Sequence, residues 1–282
     1  MAIIETKNLT YTYPGASKPS IVDISLKIEK GEFVLITGPS GCGKTTLCRT
    51  FNGLVPHFYQ GEIKGEITVA GIDTLKVHTY EMAKHVGLVF QNPENQLFAL
   101  SIEKDVAFGL ENVGVPREIM REKVDWALNL TGIYDLRERS PHEISGGQQQ
   151  RVAIASVLAM EPEIIVLDEP TSFLDPLSAE KIFEVIYDLN KKQGITVILV
   201  EHRLDLTAKY TDHLVVMDEG KVRFEGNPRE ILGSEETRLI GVGIPKATLL
   251  YKMLKKEGLN LSDTTPLSSE ELANQILETV RQ

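Results

Sequence analysis

Read for its apolar and polar positions alone, the chain changes rhythm several times. From the start to about residue 75 it reads as short strands separated by turns. IIETKNLTYTY (3–13) is followed by PGASKP (14–19) and then by SIVDISLKI (20–28), whose alternation marks a half-buried strand. After the turn at Lys30-Gly31, FVLIT (33–37) is a continuous apolar run, as in a strand covered on both faces. GEITVAG (65–71) predicts another strand. The middle, about 100 to 160, is more helical. Ile119, Met120, Val124, Ala127 and Leu128 recur at helical spacing over 117–130, and a turn-rich break runs from Asn129 to Ser140.

From residue 163 strand and helix alternate. EIIVL (163–167) is a buried strand. SAEKIFEVIYDLNKKQG (178–194) is an amphipathic helix with Ile182, Ile186 and Leu189 on one face and lysines before a terminal glycine. ITVILV (195–200) is a strand, and HLVVMDEGKVRFEG (213–226) reads as a hairpin turning at Asp-Glu-Gly. Such alternation implies a parallel sheet covered by helices. The tail beyond about 230 predicts two amphipathic helices. One runs from Pro245 to Lys256 with Leu249, Leu250, Met253 and Leu254. The other follows Ser268, which with Glu271 fits a capping box, and carries Leu272, Ile276 and Val280. This tail either packs on its own domain or meets a second subunit.

A length of 282 residues with 42% hydrophobic positions suits one large α/β domain with a smaller appendage. The 40 acidic against 30 basic residues give a net charge of −10, which makes nucleic acid an unfavoured partner. Cys42 and Cys48, in neither CxxC nor zinc-ligand spacing, fit reduced thiols and exclude a disulfide scaffold. No secretory signal is visible at the N-terminus. The longest apolar runs fall far short of the roughly 18 residues of a membrane helix. Any membrane role therefore has to come through a partner.

Two stretches carry the chemistry. GPSGCGKTT comprises Gly38, Pro39, Ser40, Gly41, Cys42, Gly43, Lys44, Thr45 and Thr46, and fits G-x-x-x-x-G-K-[ST] between a buried strand and an apolar helix. Its glycines suit a backbone wrapped around phosphates, Lys44 places a charge at the β/γ-phosphates, and the Thr45 hydroxyl suits Mg²⁺. IIVLDEP (164–170) ends an apolar strand in two acids. Asp168 is placed to reach the Mg²⁺ shell, and Glu169 to polarise an attacking water. A third stretch, ISGGQQQR (144–151), opens a helix with Ser145, Gly146, Gly147 and Gln148. That is a second anion-binding helix start in a chain that already has a phosphate loop.

In this order, the three stretches resemble the ATP-binding cassette (ABC) family over most of residues 1–230. The resemblance implies an α/β P-loop NTPase of ABC type, with a mixed sheet, N-terminal antiparallel strands and a helical signature subdomain at about 100–160. Residues 231–282 would be a small C-terminal helical extension. It further implies that Tyr13 stacks on adenine and that Gln91 is the Q-loop glutamine near Mg²⁺ and the attacking water. Ser145 to Gln148 would be the signature, Asp175 the D-loop and His202 the switch histidine at the γ-phosphate. Cassettes of this family pair head to tail, so the signature of one chain would close on ATP held by the P-loop of the other. That resolves the puzzle of two anion sites.

A finer resemblance, to the energy-coupling-factor and cobalt-type importer ATPases, rests on NPENQLF (92–98), VAFGLEN (106–112) and NGLVPHFYQGEIKGEI (52–67). It implies an ATPase with ATP and Mg²⁺, peripheral on the cytoplasmic face of the membrane. Its partners would be a second cassette, a membrane-embedded coupling protein and a substrate-binding membrane subunit. The alternative is a soluble cassette in nucleic-acid or ribosome work. Against it stand the acidic charge and the lack of a coiled-coil insertion or second cassette. A cassette that only completes another subunit's site would lack Glu169 or His202, and both are present.

Overall fold

The computed structural model describes residues 2–281. Among them the strands form two sheets. The first is antiparallel, in the order β2 (Ile21–Glu29), β1 (Ala2–Thr12), β4 (Glu62–Val69), β5 (Ile72–Asp73). The second has the order β10 (Lys221–Gly226), β9 (His213–Asp218), β3 (Phe33–Thr37), β8 (Thr196–Val200), β7 (Ile164–Asp168), β6 (Val86–Val89). Its strands are parallel except at the β9–β10 hairpin.

The continuous apolar runs have a simple cause: both faces of the second sheet are covered. Phe33, Leu35, Ile165, Leu167, Val197 and Leu199 point into one core, shared with helices α2 (Ile102–Asn112), α3 (Arg117–Leu130), α4 (Gly146–Leu158) and α5 (Pro176–Gln193). Val34, Ile36, Ile164, Val166, Ile198 and Val200 point the other way. They meet the antiparallel sheet and Leu47, Cys48 and Phe51 of the P-loop helix, Lys44–Phe51. The helical region and the antiparallel sheet thus clamp the second sheet from opposite sides.

Two expectations shift. Strand β4 begins at Glu62 rather than at Gly65. Gly65 (φ +91°) sits where the β1–β4 register slips, and a Cβ there would lie 2.4 Å from the Lys7 carbonyl. The glycine marks an irregularity within the strand, not its start. In the tail, helices α6 (Lys246–Lys256) and α7 (Ser269–Arg281) form as read. However, α6 buries Ala247, Thr248 and Tyr251, while Leu250 and Met253 stay exposed. The Ser268 hydroxyl accepts the Glu271 N–H, but Glu271 does not return the bond to Ser268. Its carboxylate instead takes the Leu267 N–H and a two-pronged contact from Arg229.

The tail is joined to the rest of the chain at several points. Val242 and Leu267 are buried in the large helical core. Asp205 Oδ1 accepts the Lys246 N–H at 2.7 Å, at the start of α6. Arg229 holds α7 through Glu271.

Candidate active site

Parallel strands end at one edge, and the register decides what meets there. Asp168 pairs with Val200, Leu167 with Val89 and Ile36 with Val200. The residues that follow these strand ends are the P-loop, Glu169, Gln91 and His202. Loops beyond the C-terminal ends of such strands are where open α/β sheets hold ligands.

The P-loop encloses a cavity of about 290 Å³ with Ser20, Ser40, Lys44, Thr45, Thr46, Gln91 and Glu169 in its wall. Lys44 is buried and its ammonium donates to the carbonyls of Gly38 (3.0 Å) and Pro39 (2.9 Å), so it braces the loop from inside. Two of the loop glycines are required by the protein itself. A Cβ on Gly38 (φ +147°) would lie 2.0 Å from the Met217 carbonyl, and one on Gly43 (φ +105°) 2.4 Å from that of Ser20. Cys42 is buried beside them, and burial pushes its thiol pKa up. Burial raises Cys48 further. Both are free thiols poor in thiolate, which favours packing over reactivity.

Asp168 is 4% exposed, and burial raises its pKa, tempered first by a hydrogen bond with Thr45. Its Oδ1 is buried without a hydrogen-bond partner among the described residues. An orphaned carboxylate oxygen beside a threonine hydroxyl fits a hard cation such as Mg²⁺, which takes few protein oxygens and shares the rest with phosphates and water.

Glu169 lies between two partners. Gln91 Nε2 donates to Oε2 at 2.7 Å, and His202 Nε2 is 3.1 Å from Oε1. Its backbone is left-handed (φ +49°), held by its N–H to the Val200 carbonyl at 2.9 Å. A non-glycine residue pays for that conformation, on the order of 1 kcal/mol or more, and such strain gathers where a side chain must be aimed. Here it turns the carboxylate toward the P-loop cavity.

The signature turn is a reciprocal cap. Ser145 Oγ accepts the Gln148 N–H at 3.3 Å, and Gln148 Oε1 accepts the Ser145 N–H at 2.9 Å. Gly146 and Gly147 form the first positions of α4, at the positive end of its dipole. They lie against Phe173: a Cβ on Gly147 would come within 3.1 Å of its carbonyl. Asp175 caps α5, accepting the N–H groups of Leu177 (3.1 Å) and Ser178 (3.0 Å); hydrogen bonding from the Ser178 side chain, and then from these amides, lowers its pKa.

Tyr13 is half-buried. Its ring meets Tyr11 and Tyr59 edge-on at 4.8 and 6.1 Å, and its hydroxyl is 3.2 Å from Thr46 Oγ1. The structure thus brings Lys44, Thr45, Asp168, Glu169, Gln91 and His202 together. Gly146 and Gly147 of the signature turn lie against Phe173 instead, and neither Ser145 to Gln148 nor Asp175 lines the P-loop cavity.

Reading the sequence missed Arg49 and Glu201. The Arg49 guanidinium lies over the Tyr59 ring at 4.5 Å and donates to the Tyr13 hydroxyl at 3.4 Å. It lines a second cavity of about 450 Å³ with Leu54, Phe58, Tyr59, Phe90, Asn92 and Asn95, and with Thr45, Gln91 and Asp168 of the active edge. Glu201 is a buried carboxylate at the end of β8. A charged residue ending the apolar run ITVILV was visible; what it binds lies far off in sequence.

Comparison with known proteins agrees with this geometry. A family profile described as ABC transporter matches residues 21–172. An energy-coupling factor transporter ATP-binding protein of Caldanaerobacter subterraneus is 43% identical over 92% of this chain and 93% of its own length. The solved structure of cbiO1 from Clostridium perfringens, described as part of the ABC transporter complex cbiONQ, is similar with a TM-score of 0.73 and 36% identity. That match covers 89% of this chain and 99% of cbiO1. A dimeric ATP-binding cassette in a post-hydrolysis state with ADP and Pi matches with a TM-score of 0.72 and 31% identity, over 80% of this chain and 99% of that one. The chain belongs to the ABC transporter family and is an ATPase of that family.

Proposed function

We propose that the chain is the ATP-hydrolysing subunit of an energy-coupling-factor-type importer, driving uptake of a vitamin or transition-metal ion by closing and opening a cassette dimer. The observation that carries the ATPase half is the convergence of Lys44, Thr45, Asp168, Glu169, Gln91 and His202 at one sheet edge. In this reading Lys44 and the P-loop amides from Gly38 to Thr46 bind the phosphates, and Tyr13 lies against the adenine. Thr45, Asp168 and Gln91 hold Mg²⁺, which when bound neutralises phosphate charge. Glu169 orients the water, aided by Gln91 and His202. Ser145, Gly146, Gly147, Gln148 and Asp175 belong to the partner's nucleotide, in line with the dimeric relative bound to ADP and Pi.

The importer half is supported by the outer wall of the second cavity, where Phe58, Tyr59 and Phe90 lie across from the Mg²⁺-side residues Thr45, Gln91 and Asp168. Phe58 is 70% exposed, and nearby in sequence Phe98 (61%) and Leu100 (82%) are exposed as well. Exposed aromatics around a cavity mark a protein-docking surface. We assign it to short helices of a membrane-embedded coupling protein, which joins a separate substrate-binding subunit. Among the described residues no helix is long and apolar enough to cross a membrane, so this chain would sit on the cytoplasmic face through that contact. Residues 1–230 form the ATPase unit in this proposal. Residues 231–282 add an extension whose exposed Leu250, Met253, Leu277 and Val280 suit a second cassette.

The test is purification of the tagged chain from its own cells in mild detergent. Recovery of a polytopic membrane protein and a small membrane subunit is expected. Recovery with ribosomes or nucleic-acid factors alone would reject the importer role.

A further inference from the structure

Glu201 has no place in the scheme above, yet it is 4% exposed and stands directly before His202. One oxygen, Oε1, accepts the backbone N–H groups of His202 (2.8 Å) and Arg203 (3.1 Å). The other, Oε2, accepts the Thr171 hydroxyl at 2.5 Å. A buried carboxylate is costly unless donors satisfy it, and here three do. Arg203 ties the same two segments a second time: its Nη2 donates to the carbonyls of Thr171 (3.0 Å) and Leu174 (3.3 Å). The backbone of His202 and the segment 171–174 are therefore one hydrogen-bonded body.

That segment leads in two directions. Phe173 lies against Gly146 and Gly147 of the signature turn. Leu174 is followed by Asp175, the cap of α5. One body thus joins a residue beside this chain's own P-loop to the surfaces that would face the partner's nucleotide.

We propose that Glu201 is a positioning residue that couples the two ATP sites of the dimer, by fixing His202 to the 171–175 segment and through it to the signature turn. The inference rests on the ATP-sandwich reading given above. Coupling of this kind needs a contiguous element whose placement both sites bias, and the Glu201–Thr171 and Arg203–Leu174 bonds supply one.

The experiment measures ATP turnover against ATP concentration, with separate binding of a fluorescent ATP analogue, for wild type, Glu201→Ala, Glu201→Gln and Thr171→Val. Glu201→Ala is expected to lose about 10- to 100-fold in kcat with analogue affinity within about 3-fold, and its Hill coefficient should fall to one. Glu201→Gln keeps an acceptor for the two amides and can donate to the Thr171 hydroxyl, so it should recover most of the turnover. Wild-type turnover and cooperativity in Glu201→Ala would overturn the proposal, as would an equal loss of affinity and kcat. If Glu201→Ala fails to fold, Thr171→Val decides: reduced kcat and cooperativity at unchanged affinity support coupling, and unchanged kinetics reject it. A wild-type protein that binds ATP without hydrolysing it would instead sink the underlying ATPase reading.

Discussion

At the scale of single residues, the active edge is built by sidestepping local preference. Glu169 adopts a left-handed backbone, Lys44 is buried, and Asp168 keeps an oxygen with no partner among the described residues. Each is unfavourable alone; Lys44 and Glu169 line the P-loop cavity, and Asp168 lines the second cavity, which shares Thr45 and Gln91 with it. The two cysteines are the contrasting case. Cys42 sits inside the phosphate loop, yet it is only 5% exposed, and burial suppresses its thiolate. Native protein titrated with a chromogenic disulfide reagent at neutral pH should react slowly at both thiols, and denatured protein rapidly. Fast modification of the native form, with loss of ATP binding, would contradict this and make Cys42 a redox-sensitive site.

At the scale of elements, caps do much of the positioning. Asp175 holds the start of α5 through two amides, so Asp175→Ala should destabilise the protein by about 1 kcal/mol in chemical denaturation. Asp175→Ser restores a capping oxygen and should recover that stability. If its turnover stays low, Asp175 acts beyond the cap; if stability does not recover, the capping account is wrong. The Arg229–Glu271 pair makes a pH prediction for the tail. Arg229 lowers the Glu271 pKa in the folded chain. The pair therefore contributes fully above the unfolded value of 4.5 and loses that contribution as pH falls through the lower folded value. Both groups are about a third exposed, so solvent screening limits it to about 1 kcal/mol. Amide protection factors in α7, which correct for the pH dependence of intrinsic exchange, should fall on acidification below about pH 4.5 in wild type. In Arg229→Met they should already be lowered at neutral pH and lose that acid step. An unchanged profile in the variant would remove the pair from the account.

How much could be read in advance divides along the same line. Strands β3, β7 and β8 and helices α3 and α5 were legible because long apolar periods leave few alternatives. The placing of the P-loop, Asp168 and Glu169 at the ends of buried strands was legible because the motifs fix their spacing to those strands. The face of α6 that turns inward was not, since Leu250 and Met253 are as apolar as the buried Tyr251, and packing against Leu261 and Leu272 of α7 decides between them. Nor was Glu201, whose partner Thr171 is set by strand register across 30 positions.

At the scale of the whole molecule, the two anion-binding turns have different neighbours. Gly146 and Gly147 lie against Phe173, while the P-loop cavity is lined by Gln91 and Glu169. In the proposed sandwich, a second chain supplies the signature turn to each P-loop nucleotide. The acidic surface, net −10, opposes such association unless a ligand draws the halves together. The most direct measurement is the mass of Glu169→Gln by light scattering after size exclusion, with and without ATP and Mg²⁺. The account predicts a mass that doubles when ATP is bound and cannot be turned over. A mass that stays monomeric while ATP binding is saturated would contradict it.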